Sequence, residues 1–71
     1  MPVIPKATMR KMIKKSGASR LDGDALTIIL EKTEDYVKRL TQKSLIFTEH
    51  AKRKTLMEED VKSALRHIES N

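Results

Sequence analysis

Seventy-one residues with a formal net charge of +5 and no cysteine bound the chain to one domain, 1–71, and exclude disulfides and thiolate metal sites. No apolar run of 18 residues and no charged start with an apolar core and cleavage site is present, so neither a membrane span nor a secretory leader is expected, and the protein reads as intracellular. Fifteen basic residues against ten acidic ones point to an anionic partner such as nucleic acid or a lipid surface. A chain this short buries only about 60% of its unfolded surface, and with no disulfide or metal as support, oligomerisation is the remaining stabiliser.

Two glycines and two prolines are the only strong breakers in a sequence rich in helix formers, which predicts an all-helical chain. After a short extension, 1–4, Pro5 suits the first turn of a helix running to about Ser16, and Gly17 suits the position just past its end. Met9, Met12, Ile13 and Ser16 follow the i, i+3, i+4, i+7 pattern, and Arg10, Lys11, Lys14 and Lys15 take the opposite side. All six charged residues before Asp22 are basic, whereas residues 21–50 carry six acids and four bases.

Residues 17–21 read as a loop and Asp22 as the N-cap of the next helix, with Asp24 in its first turn. Nothing interrupts that helix until about Lys52, which predicts roughly 28 residues and about 40 Å at 1.5 Å per residue. Leu26, Ile29, Thr33, Tyr36, Val37, Leu40, Ser44, Phe47 and Ala51 make one long stripe along it, and Ala25, Ile28, Leu30, Leu45 and Ile46 spill off its sides. Two short flanking helices cannot cover so much apolar surface, and a second copy of the chain is the natural cover.

"KRKTL" breaks the long helix, and a third helix is expected from about Glu58 to Glu69, with Val61, Ala64, Leu65 and Ile68 on one face. Its opening Glu58, Glu59 and Asp60 lie at the positive end of the helix dipole.

At this point the chain resembles the archaeal-type core histones, the minimal histone fold without tails. "IPKATMRKMIKKSGASRL" is similar to that family's first helix, glycine and arginine-bearing first loop; "HAKRKTLMEEDV" is similar to the end of its long helix, its "RKT" second loop and the aspartate opening its third helix. The resemblance implies a head-to-tail handshake dimer, in which the long helices cross and each first loop lies beside the partner's second loop. One curved face would then grip duplex DNA through helix N-termini and loop cations, with an arginine in an inward-facing minor groove and no base code read.

Carried over residue by residue, the resemblance makes Arg20 the minor-groove arginine, steered by Thr55 of the partner chain, and makes Lys54, Lys11 and Lys14 phosphate contacts, with Arg10 a weaker member of the set. Arg53 is expected to turn back onto Asp60 and clamp the second loop, and Lys52 to be an ordinary solvated lysine. Phe47, His50 and Asp60 match a dimer-to-dimer contact, although Phe47 also lies on the core stripe. Gly17, with Lys15/Glu49, Glu31/Lys62 and Asp35/Arg66 as opposite charges, falls where successive DNA-wrapped layers would meet. Ile46, Thr48 and Met57 depart from the pattern, Met57 because it replaces a better N-cap.

His50 and His67, 17 residues apart with no cysteine nearby, make a poor zinc site, so no metal and no cofactor are expected. No glycine-rich phosphate loop, HExxH or carboxylate pair set against a histidine is present, and no enzyme is expected. The reading is a histone that dimerises, then bends and compacts double-stranded DNA with little sequence preference on the chromosome of a nucleus-free cell, with tetramers, longer polymers and heterodimers with related histones as possible assemblies. One alternative keeps the fold but makes the chain a heterodimerising subunit of a transcription-regulatory complex that does not wrap DNA; the other is a membrane-surface amphipathic peptide, which leaves the long two-sided helix unexplained.

Overall fold

Short-range sequence signals account for most of the helix boundaries in the computed structural model, which describes residues 3–69. Three helices follow one another: α1, Lys6–Lys15; α2, Gly23–His50; and α3, Glu58–Glu69. No strand occurs among the described residues. The chain divides into two compact units, Met1–Tyr36 and Val37–Asn71, with α2 contributing to both.

In the first unit, Pro5 occupies the N-cap of α1 in an extended conformation. Ser16 closes the helix, and Gly17 follows at φ 122°, a backbone angle that only glycine adopts without a steric penalty. The N–H of Gly17 donates to the Lys14 carbonyl at 3.1 Å and that of Ala18 to the Ile13 carbonyl at 3.4 Å, the paired bonds of a Schellman ending. Asp22 caps α2 as expected: its Oδ1 accepts from the Ala25 N–H at 2.7 Å. Met9, Leu26 and Leu30 form the buried centre of this unit, with Ile4, Ile13 and Leu21 packed around it. Ahead of α1, the Val3 and Ile4 N–H groups both donate to the Glu34 carboxylate, tying the extension to α2.

The second unit is held differently. Among its described residues Ala64 is the fully buried apolar side chain, and it is accompanied by three buried polar ones, Ser44, Thr48 and Asp60. Ser44 tolerates burial because its hydroxyl donates to the Leu40 carbonyl at 2.7 Å, one turn back. Phe47 is half-buried and meets the His67 ring edge-on, with centroids 5.6 Å apart.

α2 stops at His50, two residues short of the sequence expectation. Lys52 adopts φ 58°, in the left-handed region, and this turns the chain out of the helix. The Lys52 N–H donates to the Glu49 carbonyl at 2.9 Å and the Arg53 N–H to the Thr48 carbonyl at 3.1 Å, a second Schellman ending. Ala51, placed on the apolar stripe by its spacing, therefore sits exposed in the turn. Much of that stripe and of the apolar residues beside it is also uncovered: Ile28, Ile29 and Tyr36 are exposed in the first unit, and Val37, Leu45 and Ile46 in the second. Val37 is 53% exposed and Ile28 58%, far more than a core residue leaves to water.

Candidate nucleic-acid interface

The three helix N-termini differ in charge. α2 is capped by Asp22 and has Asp24 in its first turn; α3 opens with Glu58, Glu59 and Asp60. α1 has neither a side-chain cap nor an acid in its first turn. Its leading N–H groups and the positive end of its dipole are thus left for an external anion. Lys6, Arg10, Lys11, Lys14 and Lys15 are all exposed on the same short helix, so its charged side chains are all basic, and the Glu34 carboxylate stands against the extension that precedes it.

The first loop carries Arg20, exposed and between exposed Ser19 and half-buried Leu21, whose side chain packs on the core of its unit. An arginine on a backbone anchored by its neighbour is pre-positioned, and its guanidinium can enter a phosphate-lined groove as a planar, always-charged donor.

The second loop is built around an ion pair. Arg53 Nη1 donates to Asp60 Oδ2 at 2.8 Å and Nη2 to Oδ1 at 2.9 Å, the two-pronged geometry that guanidinium and carboxylate favour. Arg53 Nη1 also donates to the Thr55 carbonyl at 3.1 Å, and Glu59 lies 3.6 Å from Nη2. The buried Asp60 carboxylate further accepts from the Thr48 hydroxyl at 2.7 Å and from the Met57 N–H at 3.0 Å. Met57 is a poor N-cap by type, yet its N–H is satisfied by the carboxylate three residues on, one half of a capping box. The Arg53 guanidinium, then the Thr48 hydroxyl and the Met57 N–H, hold the Asp60 carboxyl well below the usual carboxylate range against the opposing effect of burial, and Asp60 in turn raises Arg53.

With Arg53 turned inward, Lys52, Lys54 and Thr55 stand exposed around it. Three adjacent cations in the sequence thus separate into one structural arginine and two outward lysines. Thr48 is the member of this cluster that sequence reasoning missed; it stood out as a departure from the family pattern, and nothing local marks a helical threonine as the donor to a carboxylate 12 residues ahead. Glu34, the anchor of the N-terminal extension, was missed for the same reason, its partners being 30 and 31 residues away.

Of the residues assigned to contacts between dimers, His50 is exposed, Phe47 is half-buried against His67, and Asp60 is buried with both oxygens engaged inside its own chain. A His50 from another copy would have to add to these bonds. Gly17, Lys15, Glu31, Asp35, Glu49, Lys62 and Arg66 lie outside the buried set; Lys62 pairs with Glu58 at 2.7 Å, and Arg66 donates to the Ser63 hydroxyl at 3.1 Å. Among the described residues no cluster of three or more His, Asp or Glu is placed to hold a metal ion, and no helix is long and apolar enough to cross a membrane.

Residues 2–65 match the family described as histone-like transcription factor (CBF/NF-Y) and archaeal histone. The chain belongs to this family. Similar proteins include one subunit of the archaeal histone HAN1 of Thermococcus zilligii, 36% identical over 66 residues, and probable archaeal histone 3 of Methanocaldococcus jannaschii, 39% identical over 66 residues; each alignment covers 93% of this chain and 98% of the relative. A histone doublet H4-H3 of Melbournevirus is 39% identical over 61 residues, 86% of this chain and 28% of that protein. The three helices are those of the all-α histone fold, and the protein is a histone-like, DNA-binding architectural protein of the chromosome. Histone folds work in pairs, which accounts for the apolar surface that α2 leaves uncovered.

Proposed function

We propose that two copies of the chain join head to tail along α2 and that the dimer bends duplex DNA around one face with little regard to sequence. The observation that carries this reading is the division of labour in the second loop: with Arg53 held by Asp60, the outward groups include Lys54 and Thr55, the complement that Arg20 of a partner's first loop needs for a shared DNA contact. In the dimer, Arg20 enters the minor groove where it faces inward, Thr55 of the other chain steers it, Lys54, Lys11 and Lys14 neutralise phosphates, and Arg10 adds charge beside them. The uncapped α1 N-termini supply backbone donors to the same strand. Contacts of this kind read backbone position and groove width, not base edges, so affinity tracks deformability more than sequence.

The uninterrupted basic face of α1 favours this over a heterodimerising subunit that does not wrap DNA. The experiment is a titration of random-sequence duplex DNA at several salt concentrations, with Arg20→Ala beside the unaltered protein. Log affinity should fall with log salt by about 0.9 per phosphate contact, and Arg20→Ala should bind more weakly. Salt-independent or absent binding would reject the reading; strong preference for one sequence would favour a dedicated regulator.

Assembly beyond the dimer is proposed on the charges outside the core. Lys15 and Glu49, Glu31 and Lys62, and Asp35 and Arg66 have opposite signs where stacked layers would meet, and Gly17 keeps that approach open, since among the described residues nothing beyond its two chain neighbours lies within 4 Å of where its Cβ would stand. Glu49→Lys should shorten or abolish long protein–DNA filaments seen by electron microscopy while sedimentation still reports dimers; filaments of unchanged length would reject the stacking.

A further inference from the structure

The feature of the second loop that its clamp does not explain is the conformation of Lys52. Its φ of 58° is the positive angle among the described non-glycine residues, at the position of a Schellman ending where glycine is the favoured residue. The same position at the end of α1 is Gly17. The turn is closed by the backbone N–H groups of Lys52 and Arg53, so the lysine side chain is not needed to cap the helix. Its left-handed backbone carries a steric penalty that glycine would remove. Lys52 makes no ion pair among the described residues and its side chain is exposed.

We propose that Lys52 is a DNA phosphate contact, held in a strained backbone position beside Lys54 because its charge is used there. The inference rests on the reading that the second loop faces DNA. The clamp supplies the geometry: Arg53 is turned inward by its two bonds to Asp60, so the residues on either side of it present their ammonium groups outward. Each second loop thereby offers two lysines to the phosphate backbone, and a dimer offers four. A rival role, attraction of the ammonium to the C-terminal end of the α2 dipole, predicts that the lysine stabilises the fold; the phosphate role predicts that it costs stability and adds affinity.

The test is a salt titration of random-sequence duplex DNA with Lys52→Gly, Lys52→Arg, Lys54→Ala and Arg20→Ala, together with thermal unfolding of each protein without DNA. Glycine suits the left-handed turn, so loss of folding does not confound this variant. Lys52→Gly should raise Tm by about 4 °C and lower the salt slope by about 0.9 for each phosphate no longer neutralised, roughly 1.8 for a dimer. Lys52→Arg should keep the slope. If Lys52→Gly binds with unchanged affinity and slope while Lys54→Ala and Arg20→Ala weaken binding, Lys52 touches no phosphate and the histone reading stands. A lower Tm for Lys52→Gly would overturn the claim that the lysine is held against structural cost. If no variant changes binding, the reading of the second loop as DNA-facing fails, and this inference with it.

Discussion

The two loops end their preceding helices with the same backbone hydrogen bonds and then stabilise themselves by opposite means. After α1, the residues linked by the long bond of the Schellman ending are Ile13 and Ala18, both apolar and half-buried, and Leu21 goes on to pack on Met9, Leu26 and Leu30. After α2, the corresponding residues are Thr48 and Arg53, and both donate to one buried carboxylate, Asp60. An apolar contact commonly accompanies this ending; in the second loop a polar cluster replaces it. The consequence falls on the arginines. In the first loop the core is filled by aliphatic side chains and Arg20 is left in solvent, available to DNA. In the second, a buried carboxylate needs a counter-charge and Arg53 is consumed in meeting that need.

If the first loop depends on apolar packing, Leu30→Ala should do the most damage, because the side chain is fully buried and truncation leaves a cavity. A loss of about 2–5 kcal/mol is expected from chemical denaturation. Disruption of the second loop by Asp60→Asn should come next: the amide cannot accept from Arg53 at both positions, and Tm should fall by about 10 °C as read by circular dichroism. A smaller fall for Asp60→Asn than for an exposed pair such as Glu58→Gln would show that the polar cluster does not hold the loop. The sharpest contrast is between the arginines. Arg20→Ala should leave stability within about 0.5 kcal/mol while weakening DNA binding, because its side chain is exposed and, among the described residues, makes no ion pair like that of Arg53.

The smallest effect separates the loops by pH. The Asp60 carboxyl lies below its ordinary value of about 3.9, so its contribution to stability is fully present above that pH and is lost as pH falls beneath it toward the depressed folded value. Tm measured from pH 6 down to pH 2 should therefore drop more steeply below about pH 4 in the unaltered protein than in Asp60→Asn. Equal acid arms would mean that the carboxylate gains no stability from Arg53, Thr48 and Met57.

Local signals make the helices legible without coordinates. Gly17, Asp22 and the carboxylates opening α3 act within a few residues of themselves, so their effects can be read from short spacings, and α1 and α3 fall where those signals put them. The end of α2 is harder to place because no breaker residue marks it: Lys52 takes a conformation for which lysine has no preference, under constraint from the loop that follows. The Arg53–Asp60 bond is anticipated only through likeness to a family, since a spacing of seven across a helix end implies no contact by itself.

What the sequence alone determined is therefore what depends on neighbours in the chain: three amphipathic helices, a basic first segment, and more apolar surface on α2 than the chain's own short helices can cover. Tertiary structure decided which of the adjacent cations face water. That choice follows from the burial of Asp60, whose charge, removed from solvent, draws in Arg53, Thr48 and the Met57 N–H, and so leaves Lys52 and Lys54 to the outside.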